Sequence, residues 1–370
     1  MESVGPTASA GPLVRPRYGE ASLAELFPSV LAALGHGLAD RPDRLGLAPV
    51  RAACVLLVDG LGARALTAHP DAAPFLTSLT RRELTTAFPA TTVTSSATLG
   101  TGTTPGEHGM VGFEMLAPGL DDAPGRVVNG LTWDPDVDPL AFQPVPTALE
   151  RAAAAGVRAV HVGPGRFAGS GLTRAAWRGA RFDRAATVGQ RVAAVAAALR
   201  EPGPALVLAY DGDLDLTGHL SGCGSEAWAL QLAHVDRLAE QLAAALPADG
   251  ALWVVADHGM VDAPREARLD LAVEADLDAG VAALSGEPRA RHVHAVPGAA
   301  ADVLSAWRAR LADRFLVLSR DEAVAQGWFG PVVTPAAAAR IGDVVALALG
   351  DGAVEDSRRM PPPALALVGH

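Results

Sequence analysis

The sequence predicts an α/β protein with a central, mostly parallel sheet flanked by helices. Three observations carry that prediction. Four short apolar runs, each five or six residues long and bounded by Gly or Asp, recur through the chain, as expected of strands buried on both faces of a parallel sheet. Helical patterns with cap signals lie between runs, and alternating strands and helices build this architecture. Each run also ends in acid or histidine residues, and open α/β sheets bind ligands outside the carboxyl ends of their strands.

In chain order, residues 1–50 read as an N-terminal extension and first helix. Met1 to Tyr18 is Pro/Gly/Ser-rich without an uninterrupted apolar stretch, so it is not read as a signal peptide. Ala53 to Val58 is the first strand, followed by Asp59-Gly60. Residues 112–145, rich in Gly, Pro and Asp, read as a long irregular excursion. Thr147 to Glu150 has capping-box spacing, and Gly156 is placed to end that helix before the run Val157 to Val162. Ala205 to Tyr210 precedes Asp211-Gly212-Asp213-Leu214-Asp215. Ser225 is the N-cap of a longer helix with Trp228, Leu232, Val235, Leu242 and Leu246 on one face. Ala251 to Ala256 leads into Asp257-His258-Gly259. Mixed patterns over 265–335 read as an insertion or small cap, leaving 51–264 and 336–370 as the core. Finally, Pro361 to Pro363 is a rigid approach to a last strand, Ala364 to Val368, ending at Gly369-His370.

Composition narrows the function. The 370 residues are 49% apolar and 19% charged, with a net charge of −11, and every basic side chain is arginine because the chain has no lysine. That removes P-loop phosphate clamps, Schiff bases and lysine general bases. A net acidic chain is poorly suited to duplex nucleic acid, whose binding depends on cations against phosphates. No apolar stretch reaches the length of a membrane span. Two cysteines, Cys54 and Cys223, do not make a disulfide framework for a chain this long. A cytoplasmic protein is the default expectation.

The chemistry concentrates at the strand ends. Asp215 and His219 are four residues apart and meet on one side of a helical turn; Asp257-His258 supplies adjacent carboxylate and imidazole, and Asp59 a third carboxylate. Oxygen plus imidazole ligands suit Zn²⁺ or Mn²⁺ better than Ca²⁺; the alternative is that these are turn residues. The segment Thr85 to Gly112 is dense in hydroxyls, with Pro89 just before a helix start at Ala90 to Thr92. A hydroxyl there sits beside the positive end of the helix dipole, where an anionic phosphoryl group is stabilised. The alternative is a capping region without chemistry.

The order Asp59-Gly60, Phe88-Pro89-Ala90-Thr91-Thr92, Thr101-Gly102, Pro105-x-x-His108-Gly109, Asp215-x-x-x-His219 and Asp257-His258-Gly259 resembles the alkaline phosphatase superfamily, nearest its type I phosphodiesterase/nucleotide pyrophosphatase branch. The resemblance spans residues 53–370, strongest at 53–115 and 205–260. It implies an alkaline-phosphatase-like fold and a hydrolase that cleaves phosphodiester or pyrophosphate bonds of small substrates, nucleotides among them. It makes Thr92 the nucleophile, with Thr91 the fallback, and a phosphothreonine the intermediate. It also implies two divalent metal ions, zinc first and manganese second: one held by Asp59, Thr92, Asp257 and His258, the other by Asp215, His219 and a C-terminal histidine. His370 is taken as that last ligand, with a residue beyond it as the alternative. The branch's asparagine beyond the nucleophile helix has no counterpart in Gly112-Phe113-Glu114-Met115, and the chain's one asparagine is Asn129. Transition-state contacts then fall to the metals, the Thr92 backbone N–H or an arginine such as Arg166.

Other readings stay in view: a phosphomonoesterase or phosphonate hydrolase of the same superfamily, and a non-catalytic relative that binds a ligand. The sulfatase Cys/Ser-x-Pro-x-Arg pattern is absent from 88–95, and Asp59-Gly-Leu-Gly62 lacks the third glycine of a dinucleotide fingerprint. His108 is read as closing a turn, His161 as a strand residue near the sheet edge, and His292 and His294 as partly exposed cap residues.

Overall fold

Five parallel strands form the central sheet of the computed structural model, which describes residues 13–117, 126–360 and 362–369. Their order is Arg181–Arg184, Arg158–Gly163, Ala205–Asp211, Ala52–Val58 and Gly250–Val255. The strand Ala52–Val58 is buried along its whole length, with Cys54 opposite Val207 on one side and Leu252 on the other. Its alternate residues feed two layers. Ala52, Cys54, Leu56 and Val58 pack with residues of the helices Val188–Arg200 and Glu226–Ala244. Ala53, Val55 and Leu57 pack with residues of the helices Leu26–Ala33 and Ala148–Ala154. Each fully buried Leu or Val contributes ~1.5–3 kcal/mol, so this strand is held from both faces and its end is a fixed point.

The cap signals form as the sequence implies. Thr147 and Glu150 make a reciprocal capping box, and the Ser225 side chain accepts from the Trp228 amide. The central sheet also takes an edge strand, Arg181–Arg184, that no apolar run announces.

Four expectations are corrected. Gly250–Val255 is not a central strand buried on both faces: it stands at the sheet edge with one strand neighbour and is half-buried along its length. Ala364 to Val368 is not a strand of the sheet: Pro362–Leu365 is a short helix, since proline's fixed φ and missing N–H suit a first helical turn. The excursion 112–145 is not wholly irregular; Glu114–Ala117 and Arg126–Asn129 pair antiparallel. They extend a six-stranded sheet with Val281–Glu287, Ala290–Ala295, Phe315–Ser319 and Val344–Ala348. That sheet therefore draws on residues 265–335 and on strands outside them. His292 and His294 are buried rather than partly exposed, because His292 bonds the Val111 carbonyl and the Gly342 amide, and His294 bonds Ser285. No helix among the described residues is long and apolar enough to cross a membrane.

Burial keeps several histidines neutral. It pulls His108 and His292 down to about 3, and His161 and His294 down to about 4. A histidine in the unfolded chain titrates near ~6.5, so below that pH the unfolded state takes up protons that the folded state refuses. Stability is therefore full above about pH 6.5 and falls as pH drops toward about 4 for His161 and His294 and about 3 for His108 and His292. His161 lies on the strand Arg158–Gly163 between the rings of Trp177 and Phe182. Its Nδ1 is buried without a partner among the described residues. His161→Leu is expected to flatten the acid limb of the unfolding free energy against pH, measured by denaturant titration, by up to ~1.4 kcal/mol per pH unit. An unchanged limb would show that His161 takes no part in it.

Candidate active site

Three strand ends lie side by side, and each delivers part of the site. Beyond Val58, the Asp59 amide donates to the Asp211 carbonyl (2.8 Å), joining the turns after two neighbouring strands. Gly60 follows with φ +74°, and a Cβ there would stand 3.0 Å from both Asp215 Oδ1 and Met260 Sδ. Glycine thus serves twice, allowing the left-handed turn and letting Asp215 close on the Asp59 loop.

The loop after Gly250–Val255 brings Asp257 and His258 against Asp59. One ligand atom from each of the three lies within 4.8 Å of the others. His258 Nε2 is 3.2 Å from Asp59 Oδ1 and 3.8 Å from Asp257 Oδ2. Asp257 is fully buried; its Oδ1 accepts from the Gly60 and His258 amides, and its Oδ2 has no hydrogen-bond partner among the described residues. Burial and the neighbouring Asp59 push the Asp257 carboxyl well above the carboxylate range. Burial opposes a charged His258, but Asp257 and Asp59 outweigh it and raise its pKa well above normal. Burial likewise opposes a charged Asp59, but bonding to His258 and Tyr210 holds that carboxyl low.

Thr92 begins the helix Thr92–Thr101, with Thr91 as an extended N-cap residue that makes no side-chain cap bond. The Thr92 hydroxyl lies 3.1 Å from His258 Nε2 and 3.4 and 3.5 Å from the two Asp59 oxygens. The helix therefore aims a hydroxyl, its dipole's positive end and its first amides at one point.

Asp215 and His219 share the helix Asp213–Ser221, with His219 Nε2 3.3 Å from Asp215 Oδ2. His219 Nδ1 donates to the Gly369 carbonyl (2.6 Å). Asp215 Oδ1 is buried with no hydrogen-bond partner among the described residues. His370 lies outside the described residues. Asp211 belongs to another arrangement, a buried ion pair with Arg191.

Sequence reasoning missed Tyr210. Its hydroxyl donates to Asp59 Oδ2 (2.6 Å), and burial with the charge of Asp59 pushes its own pKa well up. Standing last in an apolar run it reads as core, since the contact crosses between neighbouring strands. Arg166 is exposed, over the Phe167 ring at 4.5 Å, and Phe167 meets Tyr210 edge-on. Asn129 accepts from the Leu131 and Thr132 amides in a turn. His108 is buried against the Thr98 hydroxyl and the Met110 amide, as a turn-closing residue should be.

The donors fit a cation. Carboxylates and imidazoles converge, and two carboxylate oxygens, Asp257 Oδ2 and Asp215 Oδ1, are buried without a hydrogen-bond partner among the described residues. Buried polar atoms are almost always satisfied, and a buried anion needs a counter-charge. Asp59, Asp257, His258 and the Thr92 oxygen could hold one divalent ion, with Asp215 and His219 contributing to a second.

The fold is that of an alkaline phosphatase superfamily hydrolase. Within that class, the type I phosphodiesterase / nucleotide pyrophosphatase family model matches residues 53–364, and the chain belongs to this family of phosphoric ester hydrolases. Among solved structures it is similar to murine ectonucleotide pyrophosphatase/phosphodiesterase 5, as an inactive threonine-to-alanine variant in complex with AMP: TM-score 0.68, 19% identity, covering 86% of this chain and 83% of that one. The human counterpart gives 0.67, 18%, 86% and 83%. Phosphonoacetate hydrolase from Sinorhizobium meliloti 1021, in complex with phosphonoacetate, gives 0.62 at 19% identity, covering 83% of each chain. Comparison with curated proteins found no match.

Proposed function

We propose that the chain cleaves phosphodiester or pyrophosphate bonds of small, nucleotide-type substrates at a two-metal site, with Thr92 as the nucleophile. The observation that carries this reading is the Thr92 hydroxyl, 3.1 Å from His258 at a helix N-terminus. Asp59, Asp257, His258 and Thr92 would hold one ion; Asp215, His219 and His370 would hold the other. Zinc-type ions, when bound, would lower the pKa of the hydroxyl and neutralise charge gathering on the phosphoryl group.

The chain's own residues supply the rest. Thr92 Oγ1 gives up its proton to solvent and attacks phosphorus as the bond to the leaving oxygen breaks on the opposite side and that oxygen takes up a proton, giving a phosphothreonine that water then cleaves to a phosphate monoester and free Thr92. The first amides of the helix Thr92–Thr101 would face the phosphoryl oxygens and stabilise their charge. Tyr210 holds one Asp59 oxygen by its hydroxyl, keeping that carboxylate turned toward Thr92. The AMP complex of the murine relative, obtained with an inactive threonine-to-alanine variant, supports both the nucleotide class and a threonine role. The likeness to phosphonoacetate hydrolase supports a second reading, a phosphonate hydrolase using the same residues.

The test is turnover of bis(p-nitrophenyl) phosphate, p-nitrophenyl phosphate and phosphonoacetate by zinc-loaded protein. Diester hydrolysis at least tenfold faster than the other two, abolished by chelation and restored by zinc, is the expected result. Preference for the monoester or the phosphonate moves the chain to those activities. No turnover of any of the three by zinc-loaded protein leaves the binding role.

A further inference from the structure

The two acid/histidine clusters differ in what holds them. Asp59, Asp257 and His258 issue from the ends of adjacent strands of the central sheet and are largely or fully buried. Asp215 and His219 sit instead on one helix of nine residues, Asp213–Ser221, and the end of that helix is gripped by residues 365–369. The Val368 amide donates to the His219 carbonyl (2.8 Å), and the Ala263 amide donates to the Val368 carbonyl (3.1 Å). Gly369 bridges to Asp262. Arg268, paired with Glu355, donates to the Leu365 and Leu367 carbonyls. The close approach requires glycine at 369, where a Cβ would come within 2.6 Å of the Gly218 carbonyl oxygen.

This strap acts on the imidazole itself. Because His219 Nδ1 donates to the Gly369 carbonyl at 2.6 Å, the lone pair of the neutral ring is on Nε2. That is the atom facing Asp215, 3.3 Å from its Oδ2. Fixing one ring nitrogen by a backbone carbonyl sets the tautomer and orientation of a metal-binding histidine and raises its basicity. Asp215 meanwhile keeps Oδ1 buried without a partner among the described residues. One side of this donor pair is thus set by the sheet-end helix and the other by the strap.

We propose that the Val368–Gly369 backbone is the positioning element of the second cation site, so that the two sites are unequal. The first forms on the strand-end turns and the start of the Thr92–Thr101 helix, without the strap; the second assembles only while the strap is docked. This inference rests on the two-metal reading above.

The experiment is a zinc titration of the full chain in a metal-buffered solution, comparing the parent with Val368→Pro and Gly369→Ala. The first variant removes the amide that donates to His219; the second pushes the 369 carbonyl off His219. Ala366→Ser, on the exposed side of the strap, is the control. The parent and control should bind two equivalents in two steps. Both variants should keep the first step and weaken the second at least tenfold. Nitrogen-detected NMR of the metal-free parent should show His219 protonated at Nδ1, with that signature lost in Gly369→Ala. Far-UV circular dichroism of the metal-free proteins establishes that the variants fold, and if one does not, the other carries the comparison. The proposal is overturned if both variants bind two equivalents as the parent does, or if both steps weaken together. A parent that binds fewer than two equivalents overturns the two-metal reading and this inference with it. A parent that binds two equivalents but hydrolyses no diester removes the functional reading while leaving the strap's role standing.

Discussion

Thr92→Ala is expected to lower kcat/KM for a phosphodiester at least ~10³-fold, or ~4 kcal/mol of transition-state stabilisation. The size follows from what the substitution removes. The Thr92 hydroxyl stands at the helix N-terminus, 3.4 Å from Asp59 and 3.1 Å from His258, and without it the proposed covalent step has no attacking atom. Its loss would also delete one donor from the proposed first cation site. Thr92→Ser restores the oxygen but not the β-branch that limits its rotamers, so it should recover most of the activity, within ~10-fold of the parent. Thr91→Ala separates the two threonines. Thr91 caps the helix without a side-chain cap bond, so its removal should change kcat/KM less than ~3-fold and stability by under ~1 kcal/mol. Steady-state kinetics on bis(p-nitrophenyl) phosphate, with Tm as the folding control, decide between them. A large loss in Thr91→Ala together with a small one in Thr92→Ala would reassign the nucleophile.

The parts of this site that were legible in the sequence share one property: the residue's role follows from its place along the chain. Asp59, Asp215 and Asp257 come after apolar runs, and a parallel sheet puts the carboxyl ends of its strands on one edge, so their convergence follows from topology. His219 is legible for the same reason, because four residues of helix return it to the side of Asp215. Tyr210 was not legible. It belongs to an apolar run by composition, and its bond to Asp59 exists only because Ala205–Asp211 and Ala52–Val58 are neighbours in register, with Tyr210 opposite Leu57. Of the two edge strands of the central sheet, Gly250–Val255 is announced by its apolar run, and the other is hidden. Arg181–Arg184 buries little and carries charges, so it lacks the apolar signature of the central strands. The Ala364 to Val368 run misled because apolar composition does not distinguish strand from short helix, and the prolines before it favour the helix. His292 and His294 read as exposed because nothing in a stretch with two arginines announces burial. Their partners, Val111, Gly342 and Ser285, lie far away in sequence or across a hairpin.

Asp257→Asn is expected to move stability in opposite directions with and without zinc, and that sign reversal is the sharpest consequence of the site's electrostatics. In the metal-free protein Asp257 is fully buried beside Asp59, with one imidazole, His258, to serve both. One acid of the pair is therefore surplus, and burial with the charge of Asp59 disfavours its ionised form. Asparagine keeps the Oδ1 acceptor for the Gly60 and His258 amides and leaves Asp59 and His258 as a matched pair. The metal-free variant should thus be more stable than the metal-free parent by ~1–2 kcal/mol, because a buried charge without a partner of its own carries a desolvation penalty. With zinc the order inverts. The parent gains stability as RT ln(1 + [Zn]/Kd), whereas the variant has lost an anionic ligand and should bind zinc at least ~100-fold more weakly, a loss of ~2.7 kcal/mol of binding free energy. Diester turnover should fall at least ~10³-fold with it. Thermal melts of both proteins in chelator and in excess zinc make the comparison directly. If the variant melts below the parent in chelator, Asp257 stabilises the fold through its hydrogen bonds more than its buried charge destabilises it. The strand-end acids would then be turn residues first, and the cation reading of this cluster would lose its electrostatic basis.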